Sequence, residues 1–248
     1  GELMTVADWS MNGNAIMTRT EDETLNFIGS AYAGISSTDG SVLPLNDAIF
    51  YDKAFQITNF SMDFVFDTDL QSGWFSIALM TNKNDVFSAQ GDGEAATSKH
   101  KGIMIWLQPQ PNNRVGITVF AIKDDTTQIY AGRKTEMMYL DAPADGVYSL
   151  RMYQSPDSNE LSMLLNGTDI LASKIRIPEL NTIYGAKTDP AQHVGYLTVI
   201  GSVGNDGDYF DFEISRINGK NVFAADITTP DPSNVPEKQE CQHQYDPD

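Results

Sequence analysis

Apolar side chains alternate with polar or small ones along most of the chain, with a period of two residues. In residues 60–66, the side chains of Phe60, Met62, Phe64 and Phe66 fall on one face of an extended strand. The same alternation recurs in segments 73–80, 103–107, 115–119, 147–153, 161–165, 195–200 and 209–217. This pattern predicts half-buried β-strands throughout the chain.

Turn-forming residues separate these segments. Asn112-Asn113 predicts a tight hairpin, and Asn-Gly pairs at 166–167 and 218–219 mark further turns. Helical periodicity is confined to residues 135–140 and 177–184, which predict two short helices. Many strands with few helices predict an all-β fold, a two-sheet antiparallel β-sandwich of the jelly-roll type.

The composition changes near the C-terminus. Residues 228–236 contain three prolines and almost no apolar side chains, which is typical of a semi-extended linker. We therefore assign residues 1–226 to the sandwich and residues 227–248 to a Pro-rich linker or tail. The single cysteine, Cys241, lies in that tail and excludes a disulfide within the chain.

The charge balance limits the classes of partner. The 248-residue chain carries 34 acidic and 16 basic side chains, for a net charge of −18. A polyanion would be repelled, so nucleic acid and anionic membrane surfaces are excluded as partners. Without an apolar run long enough to cross a bilayer, we expect no membrane insertion. Gly1 in place of Met indicates a processed or recombinant start, from which any export signal is already gone. We expect an extracellular protein, secreted or attached to the cell surface, and we expect it to be a monomer.

The second face of the central strands is unusually apolar. A wet sheet face is expected to carry polar residues, yet Trp74, Trp106 and Phe120 fall on it. Either other parts of the chain cover this face, or it is a concave face on which sugar rings stack. The second hypothesis needs an open groove, and its ligand-binding residues are Trp74, Trp106, Phe120, Arg151, Tyr153, Gln108, Asn112, Asn84 and Asp85.

Short acidic turns are candidate cation sites. Asn205, Asp206 and Asp208 supply the oxygen ligands that Ca²⁺ prefers, so Ca²⁺ is the one cofactor that we expect. A solvated turn without metal is the alternative. The three histidines lie far apart in the sequence, which argues against zinc.

Several segments resemble a known family of folds. Residues 195–201 and 209–220 resemble the closing strands of concanavalin A-like lectin and glucanase jelly rolls, a group that includes laminin G-like modules. Residues 161–167 are similar to the mid-domain hairpin of these folds, and residues 60–66 with 73–80 to the paired strands that begin their concave sheet. The resemblance covers residues 10–226 and implies a domain of a bacterial surface or secreted protein.

This resemblance implies a carbohydrate-binding function. The related glucanases carry paired acids in a Glu-x-Asp-x-(x)-Glu pattern, which this sequence lacks, so we assign no catalytic residue. The expected function is an extracellular, lectin-like module that binds a glycan or polysaccharide and that belongs to a larger protein, with or without an attached hydrolase. A non-catalytic adhesin that binds a protein partner is one alternative, and a polysaccharide-degrading glycoside hydrolase is another.

Overall fold

Two antiparallel sheets pack face to face in the computed structural model of the protein. The structure describes residues 8–32, 47–66, 73–86, 100–123, 126–132 and 136–232. The described residues form seventeen strands and one α-helix. The predicted all-β sandwich is thereby confirmed.

The first sheet, sheet A, contains the central strands of the sequence pattern. Its strands, in spatial order, are β1 (Trp9–Asn12), β4 (Asp47–Gln56), β15 (Val194–Ser202), β6 (Trp74–Met80), β7 (Gly102–Gln110), β8 (Arg114–Lys123) and β10 (Met138–Asp141), and β9 (Thr126–Ala131) also pairs with β8.

The second sheet, sheet B, contains most of the remaining strands. In spatial order they are β13 (Thr168–Asp169), β12 (Glu160–Leu165), β11 (Tyr148–Gln154), β5 (Asn59–Phe66), β16 (Phe210–Ile217), β3 (Leu25–Gly29) and β2 (Ile16–Arg19); β14 (Ile175–Arg176) pairs with β12, and β17 (Lys220–Asn221) with β16. The expectation that segments 60–66 and 73–80 pair is wrong, because β5 and β6 belong to different sheets.

Two-residue Asn-Gly turns close two hairpins of sheet B, as predicted. Asn166 and Gly167 connect β12 to β13, and Asn218 and Gly219 connect β16 to β17. All four residues have positive φ angles, which the two-residue hairpin turn requires and which Asn and Gly adopt most readily.

One of the two predicted helices forms. Helix α1 spans Ile177–Tyr184, and Glu179 accepts a hydrogen bond from the backbone N–H of Arg176 at its start. The other prediction, a helix at 135–140, is wrong because residues 138–141 form β10. Pairing with the free edge of β8 outweighs the weak helical preference of this short segment.

Helix α1 is tied to sheet A through the hydroxyl of Tyr184. This hydroxyl donates to the carbonyl of Leu79 on β6 at 2.6 Å and accepts from the N–H of Ile103 on β7 at 2.9 Å. Leu79 and Ile103 are opposite each other in the β6–β7 ladder. Burial raises the pKa of Tyr184 above its usual range, so the phenol keeps its proton and both bonds.

Stacked aromatic rings fill the space between the sheets. Phe64, Phe66 and Tyr148 of sheet B lie nearly parallel, with centroids 4.6–6.1 Å apart, and Phe75 of sheet A meets Phe66 at 5.2 Å. Offset rings at these distances stabilise a core beyond the area that they bury. Burial raises the pKa of Tyr148 to about 12.

The packed unit continues past residue 226. Ile227 is buried in the core, and the N–H of Asp231 donates to the carbonyl of Asn218. The Asn218 side chain accepts from the N–H of Ser61 and donates to the carbonyl of Ile227. The boundary predicted at residue 226 therefore falls too early by at least five residues, whereas residues 233–248 lie outside the described part of the chain.

We expect Asn218→Ala to lower the free energy of unfolding by about 2–4 kcal/mol, since it leaves two buried backbone groups unpaired and strains a left-handed position. Urea denaturation measures this loss. Asn218→Gly is the matched variant, because it removes the same hydrogen bonds but tolerates the positive φ. Equal stability of Asn218→Ala and the wild type would contradict the role given to this side chain.

His193 makes the stability depend on pH. Burial lowers its pKa, and its Nε2 lies 2.8 Å from the side-chain oxygen of Asn181. Above the unfolded-state pKa of about 6.5 the imidazole is neutral in both states, so its titration does not change the free energy of unfolding there. As the pH falls below that value, only the unfolded chain takes up the proton, so stability declines until the folded pKa is passed.

We therefore expect the wild type to lose more stability than His193→Gln between neutral pH and about pH 5. Urea denaturation at several pH values measures the difference between the two proteins, which removes the shared contribution of the carboxylates. Parallel curves for the two proteins would show that His193 does not titrate between the folded and unfolded states.

Candidate functional site

The outer faces of the two sheets differ in character. On sheet B, the outer positions carry half-buried or exposed polar side chains, among them Asp63, Arg151, Asp211 and Glu213. On sheet A, most outer positions are buried. Sheet A is therefore dry on both sides along its central strands, whereas sheet B is dry on one side only.

A second hydrophobic cluster covers the outer face of sheet A. We call it the outer cluster; its buried members are Ala48, Phe50, Trp74, Ala78, Met80, Met104, Trp106, Phe120, Ile122 and Ile200. The side chains of Ile129 and Met137 pack against it. Trp74 and Trp106 contact each other, with ring centroids 6.0 Å apart.

The expectation of an open groove over these rings is wrong. Trp74 is 7%, Trp106 3% and Phe120 1% exposed, so none presents a ring face to solvent. The alternative interpretation, in which other parts of the chain cover this face, agrees with the burial. Period-two patterning identifies an apolar face but contains no information on what lies over it.

Polar atoms without partners lie inside this cluster. Ser76 on β6 is opposite Trp106 on β7, and Trp106 is opposite Thr118 on β8. We call these three residues the polar row. Ser76 Oγ, Trp106 Nε1 and Thr118 Oγ1 are all buried and have no hydrogen-bond partner, and the same is true of Thr198 Oγ1 on β15.

One corner of the same face is accessible to solvent. We call it the open corner; it comprises Gln108, Gln110, Arg114, Tyr139 and Asp141. The register places Tyr139 and Gln108 on either side of Gly116, and Asp141 and Gln110 on either side of Arg114. Tyr139 is 43% exposed, and the Arg114 guanidinium lies 4.8 Å from its ring centroid.

Gly116 explains how the chain covers the edge of this corner. A Cβ at position 116 would lie 2.6 Å from the Sδ of Met137, so glycine leaves room for that side chain in the position that it occupies. Met137 thus lies across β8 between the open corner and the outer cluster.

Arg151 and Tyr153 do not belong to this face, which corrects the prediction that grouped them with Trp106. Both lie on β11, between β5 and β12 in sheet B, and both point to the outside of that sheet. The alternation of apolar and polar residues is the same in both sheets, so the sequence pattern does not tell which sheet a strand joins.

The remaining predicted ligand residues are divided between the two ends of sheet A. Asn112 lies in the β7–β8 turn beside the open corner, with a φ of +64°. Asn84 and Asp85 follow β6 at the opposite end of the sheet. There, Asp85 is buried and its carboxylate lies 2.9 Å and 3.1 Å from the Nδ1 of His100. The structure brings Asn112 and Gln108 together, but not Asp85 with either.

The acidic turn proposed for Ca²⁺ connects β15 to β16. The N–H of Asp208 donates to the carbonyl of Asn205, and the Asn205 amide lies 3.3 Å from a carboxylate oxygen of Asp208. Among the described residues, no three His, Cys, Asp or Glu side chains come together as a metal site. Binding of Ca²⁺ by Asn205, Asp206 and Asp208 stays a prediction.

The sequence did not single out Tyr139, Gln110 or Arg114. Tyr139 was assigned to a helix, and only its pairing with Gly116 shows that it reaches the outer face of sheet A. Ser76 and Thr118 were visible as hydroxyls on an apolar face, but their lack of partners requires coordinates.

Comparison with known proteins identifies the fold. A legume lectin-like domain from Entamoeba histolytica is similar over 86% of this chain and 89% of that domain, with 14% identity and a TM-score of 0.50. The chain has a concanavalin A-like jelly-roll fold. The sequence matches no protein-family model, and no curated protein is similar to it in sequence. In the described part of the chain, no helix has the length and apolar character to span a membrane.

Two further solved structures are similar to the chain at lower TM-scores. A Bacteroides ovatus GH16 protein of a mixed-linkage glucan locus, in complex with a product, has a TM-score of 0.47 and 11% identity over 86% of this chain and 94% of that one. The carbohydrate-binding module CBM66 from Bacillus subtilis has a TM-score of 0.40 and 10% identity over 84% of this chain and 92% of that one.

Burial of the indoles is directly measurable. Trp9, Trp74 and Trp106 are all buried, so we expect blue-shifted tryptophan emission and weak quenching by acrylamide in the native protein. The Trp106→Phe variant should lack one blue-shifted component of the tryptophan emission. Strong quenching of that component would show that the face is open in solution.

Proposed function

We propose that the protein is an extracellular carbohydrate-binding module whose glycan lies on the outer face of sheet A and enters at the open corner. The observation that supports this proposal is an exposed aromatic ring, Tyr139, set among planar polar side chains and adjoining a tryptophan pair. The fold shared with the legume lectin-like domain is consistent with it.

The open corner has the chemistry that sugar recognition needs. The apolar C–H face of a sugar ring stacks on an aromatic ring, and its hydroxyls bond to amide and guanidinium groups. Tyr139 supplies the ring, Gln108 and Gln110 the amides, and Arg114 a fork of N–H donors. The guanidinium near the Tyr139 ring orients both side chains before a ligand arrives.

Binding is favoured over catalysis by the residues of this face. Asp141 is the one carboxylate among the described side chains of the open corner and the outer cluster. Glycoside hydrolases use two carboxyl groups on either side of the scissile bond. The alternating pair Asp211 and Glu213 lies on the outer face of sheet B, where Asn26 and Thr24 bond to these carboxylates.

The open corner is tested by paired substitutions in the two sheets. We expect Tyr139→Ala and Arg114→Ala each to weaken glycan binding by about tenfold or more, through loss of stacking and of charge-assisted hydrogen bonds. Tyr153→Ala and Arg151→Ala are the matched controls, because they delete the same side chains from sheet B. Screening on a glycan array followed by calorimetry measures the effect.

Retention of full affinity in Tyr139→Ala and Arg114→Ala, with loss in the two sheet B variants, would place the ligand on the other side of the sandwich. Binding to a protein partner, with no glycan bound by the wild type, would favour the adhesive function instead.

A further inference from the structure

Unpaired polar atoms are concentrated on one face of the molecule. Eight buried side-chain polar atoms among the described residues have no hydrogen-bond partner. Five of them belong to the outer side of sheet A: those of Ser76, Trp106, Thr118, Thr127 and Thr198. A sixth, Asp52 Oδ1, lies on β4 two residues after Phe50 of the outer cluster. Most buried polar groups in proteins are paired, so a cluster of this kind needs a cause.

The sandwich core does not account for this cluster. The outer residues of sheet A point away from sheet B, and their neighbours Met104, Phe120 and Ile200 offer no hydrogen-bond partner. An apolar side chain of the same shape at these positions would avoid the desolvation penalty. Hydroxyls here cost stability, which indicates that they serve a group from outside the chain.

The arrangement of the row fits a ring that carries several hydroxyls. Ser76, Trp106 and Thr118 lie side by side on three adjacent strands, each about 4.8 Å from the next. Thr198 extends the set by one strand, since its partner Ala78 is two residues from Ser76. The indole N–H only donates, whereas the hydroxyls donate and accept.

The charge of the row sets the class of ligand. The three polar side chains of the row and that of Thr198 are neutral, and the outer cluster around them contains only apolar residues. A carboxylate or sulfate in this environment would lose its hydration without gaining a cation, which is strongly unfavourable. A neutral sugar hydroxyl would instead find donors and acceptors of matching strength.

We infer that the polar row is a buried subsite for an uncharged sugar ring, and that the ligand of this module is a neutral glycan. This inference rests on the proposed function. The row continues the open corner, because Trp106 precedes Gln108 on β7 by two residues, a separation of about 7 Å. Met137, an unbranched side chain that changes conformation easily, lies over Gly116 between the corner and the outer cluster.

Shape-conserving substitutions separate a ligand role from a structural one. Ser76→Ala and Thr118→Val remove only the unpaired hydroxyls, so we expect unchanged or higher thermal stability but about five- to tenfold weaker glycan binding each. Trp106→Phe keeps an aromatic ring and loses the N–H, and we expect it to weaken glycan binding by the same factor. Ser149→Ala, on the outer face of sheet B, is the control, and we expect it to change neither the thermal stability nor the glycan binding.

The same calorimetric titrations use neutral and uronic acid-containing oligosaccharides from the glycan array, at low and high salt. Preference for the neutral series, with little salt dependence, is the expected result. Weakened binding in Tyr139→Ala together with full affinity in Ser76→Ala, Thr118→Val and Trp106→Phe would overturn the inference and leave the proposed function standing. Preferential binding of the acidic series would also overturn it. Absence of binding to any glycan would overturn the proposed function itself.

Discussion

The burial of sheet A on both of its faces is the constraint on which the rest of the structure depends. The face toward sheet B contributes Phe75, Ile77 and Leu79 to the main core. The opposite face carries the two tryptophans and the methionines of the outer cluster. A sheet that is dry on both sides leaves the polar atoms on its outer side without bulk water as a hydrogen-bond partner, which costs stability.

The fold was largely predictable because a period of two residues fixes which side chains share a face. The runs around Phe64, Ile105 and Ile117 are strands as expected, and the Asn-Gly turns close hairpins where they were placed. Sheet membership was not predictable. Arg151 and Trp106 occupy equivalent positions in their alternating patterns, yet long-range pairing puts them on opposite sides of the sandwich.

The candidate site was predictable only in part, for a related reason. Gln108 and Asn112 were found because they extend a strand that already carried Trp106. Tyr139 was missed because four residues at the edge of a sheet have too little periodicity to distinguish a strand from a helical turn. The exposure of the indoles was misjudged because burial on an outer face depends on distant segments. The local sequence pattern does not predict which distant segments pack on a given sheet face.

The phenol of Tyr184 takes part in the pairing of two strands of sheet A. Its hydroxyl donates to the carbonyl of Leu79 and accepts from the N–H of Ile103, and so bridges two paired residues of β6 and β7. Trp74 lies at the start of β6, and Trp106 lies at the middle of β7. Loss of the Tyr184 hydroxyl would leave the carbonyl of Leu79 and the N–H of Ile103 without the partner that joins them, so the side chain of a helix completes the pairing of two strands.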